Sequence, residues 1–244
     1  MKLNFLVNSN YLIAHTLASM SLDRFSSQEY KKDIVNFQNF AWKESETYYN
    51  FLIARFYPEF WLGQDVDKLS QQLPQYLNAL KKSVFFEKIL KQTESYLKTC
   101  ERQWSTNYDI TLTTLKELTG LNFNKTFTVF ITHQGLKNGC YLGNDKIAWG
   151  HHEDWKNYTT VYLWHEILHS YFSHSELDHA LISFLTDEEL RIKLNGGHYP
   201  PFVTHKELFP IMRKLLSLWK KYLLSKNKDI FEFKKKAQDR LKSS

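Results

Sequence analysis

Residues 161–173 read Val-Tyr-Leu-Trp-His165-Glu166-Ile-Leu-His169-Ser-Tyr-Phe-Ser. Apart from its two histidines, Glu166 is the one acid or base in the stretch. A helix that is apolar nearly all round belongs in a core. Histidine and glutamate seldom lie in a core without a partner. Something must offset their burial, and a metal ion is the simplest candidate. The alternative, histidines that satisfy local polar needs on a surface helix, would show charged neighbours, and these flanks are apolar.

Residues four apart share one helical face, about 6 Å apart along the axis. Two imidazoles so placed can point at one ion, with zinc–nitrogen distances of about 2.0–2.1 Å. Glu166 follows the first histidine directly, so it lies beside the ion without needing to ligate it. There it can take a proton from a water whose pKa the metal lowers to about 7, and then hand that proton to a leaving amine. H-E-x-x-H on a helix is a metalloprotease signature for this reason.

The remaining composition narrows the class. At 244 residues there is ample chain for a core, and seven Trp, fourteen Tyr and eighteen Phe argue against disorder. Cys100 and Cys140 form neither a disulfide framework nor a C-x-x-C. The opening Met1-Lys-Leu-Asn-Phe-Leu-Val-Asn8 has an apolar run too short for a signal peptide, and no uncharged stretch is long enough for a membrane span. A cytoplasmic protein with no membrane span is the expectation. Net charge is +6, with much of it between Lys220 and Lys242. No C2H2 spacing, RNP pattern or Walker loop accompanies it, so the tail reads as the solvated face of a terminal helix rather than a nucleic-acid patch.

Glycine is scarce before residue 120, where only Gly63 occurs. The first 119 residues are therefore expected to be helical. Ser26 or Ser27 can cap a helix through Ile34, Phe37 and Ala41 toward Phe51. Helical spacing recurs in Leu69, Leu73, Leu77 and Leu80 and again in Phe86, Ile89 and Leu90, with a separate short helix expected over Tyr108–Leu118. Thr126–Thr132 is β-branched and aromatic and reads as a strand. Gly139–Leu142 and Lys146–Trp149 flank Gly143-Asn144-Asp145, a hairpin pattern. The H-E-x-x-H helix follows, with Thr159 or Thr160 as its cap. Another helix is expected from His179 to Leu194, stopped by Gly196-Gly197, and a last helical region from Lys206. Nine of the ten histidines lie between His133 and His205, so the chemistry is expected there.

A catalytic zinc site takes three protein ligands and leaves one position open. The H-E-x-x-H-x-x-G-x-x-H pattern fails here, because Phe172 and Ser175 occupy its last two defined positions. The third ligand is instead expected on the following helix. Glu189 shares a side with Ile182, Leu185 and Ile192, and is preferred to Glu188 and to Asp187. His165-Glu166-x-x-His169 followed by Glu189, 20 residues on, resembles the gluzincin branch of the zincin metallopeptidases. The likeness covers about residues 121–205. It implies an α+β, mostly helical fold with a zincin-like core, made of a small mixed sheet, the H-E-x-x-H helix and a glutamate helix. A helical N-terminal region (1–120) precedes this core, and C-terminal helices with a basic tail (206–244) pack on it. It also implies Zn2+ held by His165, His169 and Glu189, a peptide or protein substrate, and an edge strand, Ile147-Ala148-Trp149-Gly150, on which an extended substrate pairs. The chain departs from the family at Lys193, where thermolysin-like enzymes carry an aspartate. Asp187 or Asp178 would then orient a histidine ligand. No aminopeptidase Gly-x-Met-Glu-Asn pattern is present.

Charge developing on a carbonyl oxygen needs a further donor. Tyr199 and His198, on the Gly-Gly-His-Tyr-Pro-Pro loop, and His205 just beyond it are the candidates, with His151 and His152 behind them. The rival to a zinc metallopeptidase is a non-enzymatic protein in which zinc staples helices, closed by a fourth ligand such as His174 or His198, while the basic tail binds a partner. A deformylase reading of Asn138-Gly139-Cys140 fails, because Leu168 stands where that motif requires an acid. Oligomeric state is not encoded in any motif found.

Overall fold

The structure is a computed structural model that describes residues 1–19, 27–54, 58–62, 64–173 and 175–242. Ser26, Gly63 and His174 lie outside these residues. Among the described residues the chain is mostly helical around one four-stranded mixed sheet. No described helix is long and apolar enough to cross a membrane.

The chain opens on a strand, β1 (Lys2–Leu6), which corrects the expectation that the first 119 residues are all helical. Its side chains alternate, with Leu3 and Phe5 packed on the core and Lys2, Asn4 and Leu6 outward. Four helices follow: α1 (Ser9–Ala18), α2 (Gln28–Glu44), α3 (Glu46–Ile53) and α4 (Val66–Lys81). Each begins on a side-chain cap, from Asn8, Ser27, Ser45 and Asp65 in turn, which accepts a backbone N–H of the first turn. The Ser45 cap also explains why α2 does not run on to Phe51.

α5 (Val84–Thr119) spans 36 residues without interruption, so Tyr108–Leu118 is its last third rather than a separate helix. Nothing between Ser83 and Gly120 breaks it: the stretch lacks glycine and proline, and the stop comes at Gly120, which takes φ of 71°. At about 1.5 Å per residue it is long enough to serve two cores. Phe86 and Ile89 pack with Leu12, Ile34, Phe37 and Leu80 in an N-terminal cluster. Tyr96, Cys100, Trp104 and Leu115 pack with the sheet and the C-terminal helices. This helix and β1, both before residue 120, thus contribute to the core built by the later residues.

The sheet order is β1-β2-β4-β3, where β2 is Thr126–Ile131, β3 Asn138–Gly143 and β4 Lys146–Gly150. β1, β2 and β4 are parallel, and β3 returns antiparallel to β4. The expected hairpin forms, with Asn144 and Asp145 at φ of 48° and 54°, the left-handed pair that a tight two-residue turn needs. It also overturns one expectation. β4 is enclosed between β2 and β3, so Ile147, Ala148, Trp149 and Gly150 cannot offer an open edge; the edge strands are β1 and, on the side of β4, β3.

α6 (Tyr158–Leu168) carries the H-E-x-x-H motif and is buried at every position but Tyr162. Trp164 ties it to α5, donating from Nε1 to Thr111 Oγ1 at 2.8 Å. Thr159 and Thr160 do not cap it; they are capped. Glu153 Oε1 accepts the Thr159 N–H, and Gln103 Oε1 accepts the Thr160 N–H at 2.7 Å. α7 (Glu176–Ser183), a π-helical segment (Phe184–Leu190) and α8 (Arg191–Asn195) form the next rod. α9 (Phe209–Leu223) and α10 (Ile230–Lys242) complete the chain.

Candidate metal centre

α6 ends at Leu168, and His169 caps it, its backbone N–H reaching His165 O at 3.3 Å. One helical turn thus separates the two motif histidines, and their rings lie 5.1 Å apart. α7 delivers a third imidazole. His179, in its first turns, has its ring 5.1 Å from that of His165 and 5.2 Å from that of His169. Each of the three offers a nitrogen, and these nitrogens lie within 4.8 Å of one another.

The expected glutamate is not in this group. Glu189 Oε1 accepts the hydroxyl of Tyr199 and, at 3.0 Å, the indole N–H of Trp219. Glu188 is buried against Arg191 Nη2 at 3.0 Å and the Val203 N–H at 2.9 Å. Burial pushes the Glu188 carboxyl up to about 7, against the pull of those two partners. The physical reason lies in the π segment. It winds with i→i+5 bonds, so a helical wheel drawn at 3.6 residues per turn mis-aims residues 184–190. Glu189 turns toward α9, and Asp187 turns toward α6.

Asp187 Oδ1 lies 3.2 Å from His165 Nδ1, and both side chains are buried. Thr186 Oγ1 donates to the same carboxylate oxygen at 3.0 Å. With Nδ1–H directed at Asp187, His165 Nε2 faces inward, 3.1 Å from His179 Nε2. Burial alone would push a proton off His165; the Asp187 charge and hydrogen bond outweigh it and hold its pKa above the usual imidazole range. His179 is driven the other way, to about 4, by burial and by the neighbouring His165 and His205. Two ring nitrogens facing at 3.1 Å need a proton or a cation between them, and of the two rings His165 is the one that holds a proton more tightly. An ion replaces that proton, so the donor chemistry fits a borderline cation such as zinc.

Glu166 is buried beside this group without joining it. Burial raises its carboxyl above the ordinary range, while His165 and the Tyr141 backbone N–H on β3 pull in the opposite direction. The side chain lies where two cavities meet. The larger, about 580 Å3, is walled by Trp149, His151, Trp155, Tyr158 and Tyr162. The smaller, about 310 Å3, is lined by Cys140, Tyr141, His169 and His179. Gly139, His165, Glu166 and His205 border both.

Gly139 keeps this junction open. A Cβ there would stand 3.0 Å from the Trp149 ring and 3.7 Å from Glu166 Oε1. Trp149 borders the larger cavity, but Ile147 and Ala148 are sealed in the core and line neither. Gly150 serves packing: a Cβ would meet Thr132 Oγ1 at 2.1 Å and the Thr132 carbonyl oxygen at 2.8 Å.

The other expected donors separate in the same way. Tyr199 is spent on Glu189 and Trp219, and His198 is exposed and lines neither cavity. His205 is the member of that loop region that reaches the site, its ring 5.2 Å from that of His179. His179 itself escaped the sequence reading. Its signal was present, as a histidine in the first turns of the rod expected to supply the third ligand.

No family model, no curated protein and no solved structure matches the chain.

Proposed function

We propose that the chain is a zinc-dependent metallopeptidase with a zincin-like core, its ion held by His165, His169 and His179. The observation that carries this reading is the place of Glu166. It is a buried carboxyl of raised pKa, set between the three imidazoles and an open cleft, beside an edge strand. The group numbers three among the described residues, the count that catalytic zinc sites use.

When bound there, zinc supplies Lewis acidity that eases deprotonation of water and polarises a carbonyl. The protein's own groups do the rest. Asp187 fixes the His165 tautomer, so that Nε2 presents its lone pair. Glu166 takes the proton of the attacking water and returns it to the departing amine; its raised pKa brings it toward the range where both transfers run at neutral pH. His205, at the border of both cavities, donates to the carbonyl oxygen as charge develops. β3 is an edge strand of the sheet, and its Tyr141 N–H meets Glu166, so an extended peptide that added to it at Gly139–Cys140 would run past Glu166 with side chains entering the two cavities.

The test is Glu166→Gln assayed beside the parent on a broad peptide library. The variant should keep its zinc and lose hydrolysis by at least about a thousandfold, as expected when the general base is also the acid. Hydrolysis by the variant at the parental rate would refute the mechanism.

A further inference from the structure

We propose that His151, His152 and Asp154 form a second site for a divalent transition-metal ion, beside the larger cavity, which His151 and Asp154 line. Each offers one ligand atom, and these atoms lie within 4.8 Å of one another. An ion about 2.1 Å from each donor spaces the donors roughly 3.4 Å apart, so small side-chain rotations close the cage.

The ring orientations have the form of ligands held ready. His151 Nδ1 lies 2.7 Å from the His152 carbonyl oxygen, so Nδ1 carries the proton and Nε2 keeps its lone pair. A ring nitrogen pinned to a backbone carbonyl is the usual second partner of a metal-ligating imidazole. The His152 ring stacks on that of His151, 4.8 Å between centroids and 23° between planes. His152 Nε2 lies 2.6 Å from Asp154 Oδ1. A simple ion pair explains that last contact. It does not explain His152 Nδ1, which is buried with no hydrogen-bond partner. Two imidazoles and one carboxylate suit zinc, cobalt, nickel or copper better than calcium or magnesium.

The segment that carries the three residues is anchored at several points. The His151 N–H donates to Tyr96 OH at 3.2 Å, and that hydroxyl donates back to His151 O at 2.6 Å. Glu153 is held by Gln103 and Thr159. Preorganisation of this kind lowers the cost of ordering a site. The two ions would be separate. Between His151 and His165 stand the rings of Tyr158 and Tyr162, in successive contacts of 4.8, 4.4 and 5.8 Å.

The experiment is equilibrium dialysis of the full-length metal-free protein against Zn2+. The parent should take up two equivalents of different affinity. Asp154→Asn, at an exposed position, should weaken one of them by more than about tenfold and leave the other unchanged; this is the smaller end of the loss seen when even an outer partner is removed. His152→Ala should do the same, and His165→Ala the converse. Uptake that is the same in Asp154→Asn and His152→Ala as in the parent overturns the proposal, whether the parent takes up one equivalent or two. The readout is bound metal, so it stands apart from whether the chain cleaves peptides.

Discussion

Asp187 and His165 meet at 3.2 Å in the interior, one from a π-helical segment and the other from the end of α6. Both side chains are buried, so each depends on the other for compensation of its charge. The carboxylate lifts the imidazole pKa, the imidazole lowers that of the carboxylate, and the bond decides which ring nitrogen faces the metal group. Asp187→Asn should therefore retain the fold and bind zinc about 10–100-fold more weakly, the loss seen for orienting partners of ligand histidines. Competition with a chromophoric chelator measures it. Affinity within about twofold of the parent would mean that Asp187 does not orient His165.

The third ligand separates the structure from the sequence expectation directly. His179→Ala should leave purified protein with far less than stoichiometric zinc, since two imidazoles alone hold the ion weakly. Glu189→Ala should keep its zinc and lose stability instead, because it strips acceptors from Tyr199 OH and the Trp219 indole. Elemental analysis beside a thermal melt distinguishes the two. Zinc lost in Glu189→Ala and retained in His179→Ala would reverse the assignment.

These residues also show where sequence reading holds and where it stops. The closeness of His165, Glu166 and His169 was legible because one α-helical turn fixes their relation, and α6 is regular through that turn. The hairpin was legible because Asn144-Asp145 tolerates the left-handed backbone that a two-residue turn demands. Glu189 faces Tyr199 and Trp219 rather than the imidazoles because the chain winds as a π-helix there, and no residue in Phe-Leu-Thr-Asp-Glu-Glu-Leu announces that change of pitch. Asp187, the least favoured ligand of its rod but named as an orienting partner, faces His165 for the same reason. The order of strands was hidden for another reason. Pairing partners are long-range, and nothing local in Lys146–Gly150 says that β3 will cover its far side. β1 carried its alternation openly in Leu3 and Phe5 but is short enough to pass for a terminal tail.

Besides the apolar packing of Ile230, Phe233 and Ala237, an ion pair ties the basic tail into the core. Lys234 Nζ on α10 lies 2.6 Å from Asp178 Oδ1, at the start of the helix that carries His179. Asp178 is buried and also accepts from Ser173 and Ser175, and these bonds together hold its carboxyl below the usual range despite burial. Lys234→Met removes the cation and leaves the carboxylate with hydroxyl partners alone. The cost should be about 2 kcal/mol, below the 3–5 kcal/mol of a wholly uncompensated buried charge. For a chain of this length that lowers Tm by about 4–8 °C. Lys235→Met, tested beside it, should shift Tm by less than about 2 °C, as expected of a charge on an exposed face. Equal shifts in the two variants would make the Lys234 contact incidental.

Acid sensitivity should arise in part far from the metal group, at His133. Its ring is buried and bonded on both sides: Nδ1 accepts the Gly135 N–H at 3.1 Å, and Nε2 lies 3.1 Å from Gln92 Oε1. That arrangement admits only the neutral tautomer with its proton on Nε2. Burial lowers the pKa to about 4, with the Asp33 charge opposing. The unfolded chain binds this proton near pH 6.5 and the folded chain not until about 4. Because the folded-state pKa is the lower one, the stabilisation is complete above pH 6.5 and is lost as pH falls toward 4. Its full extent is about 3 kcal/mol. His133→Gln keeps a polar group of similar reach and cannot titrate. Urea unfolding of parent and variant at intervals from pH 7.5 to 4 should show the parent losing about 3 kcal/mol more than the variant over that window. Parallel curves would place the acid sensitivity at other groups.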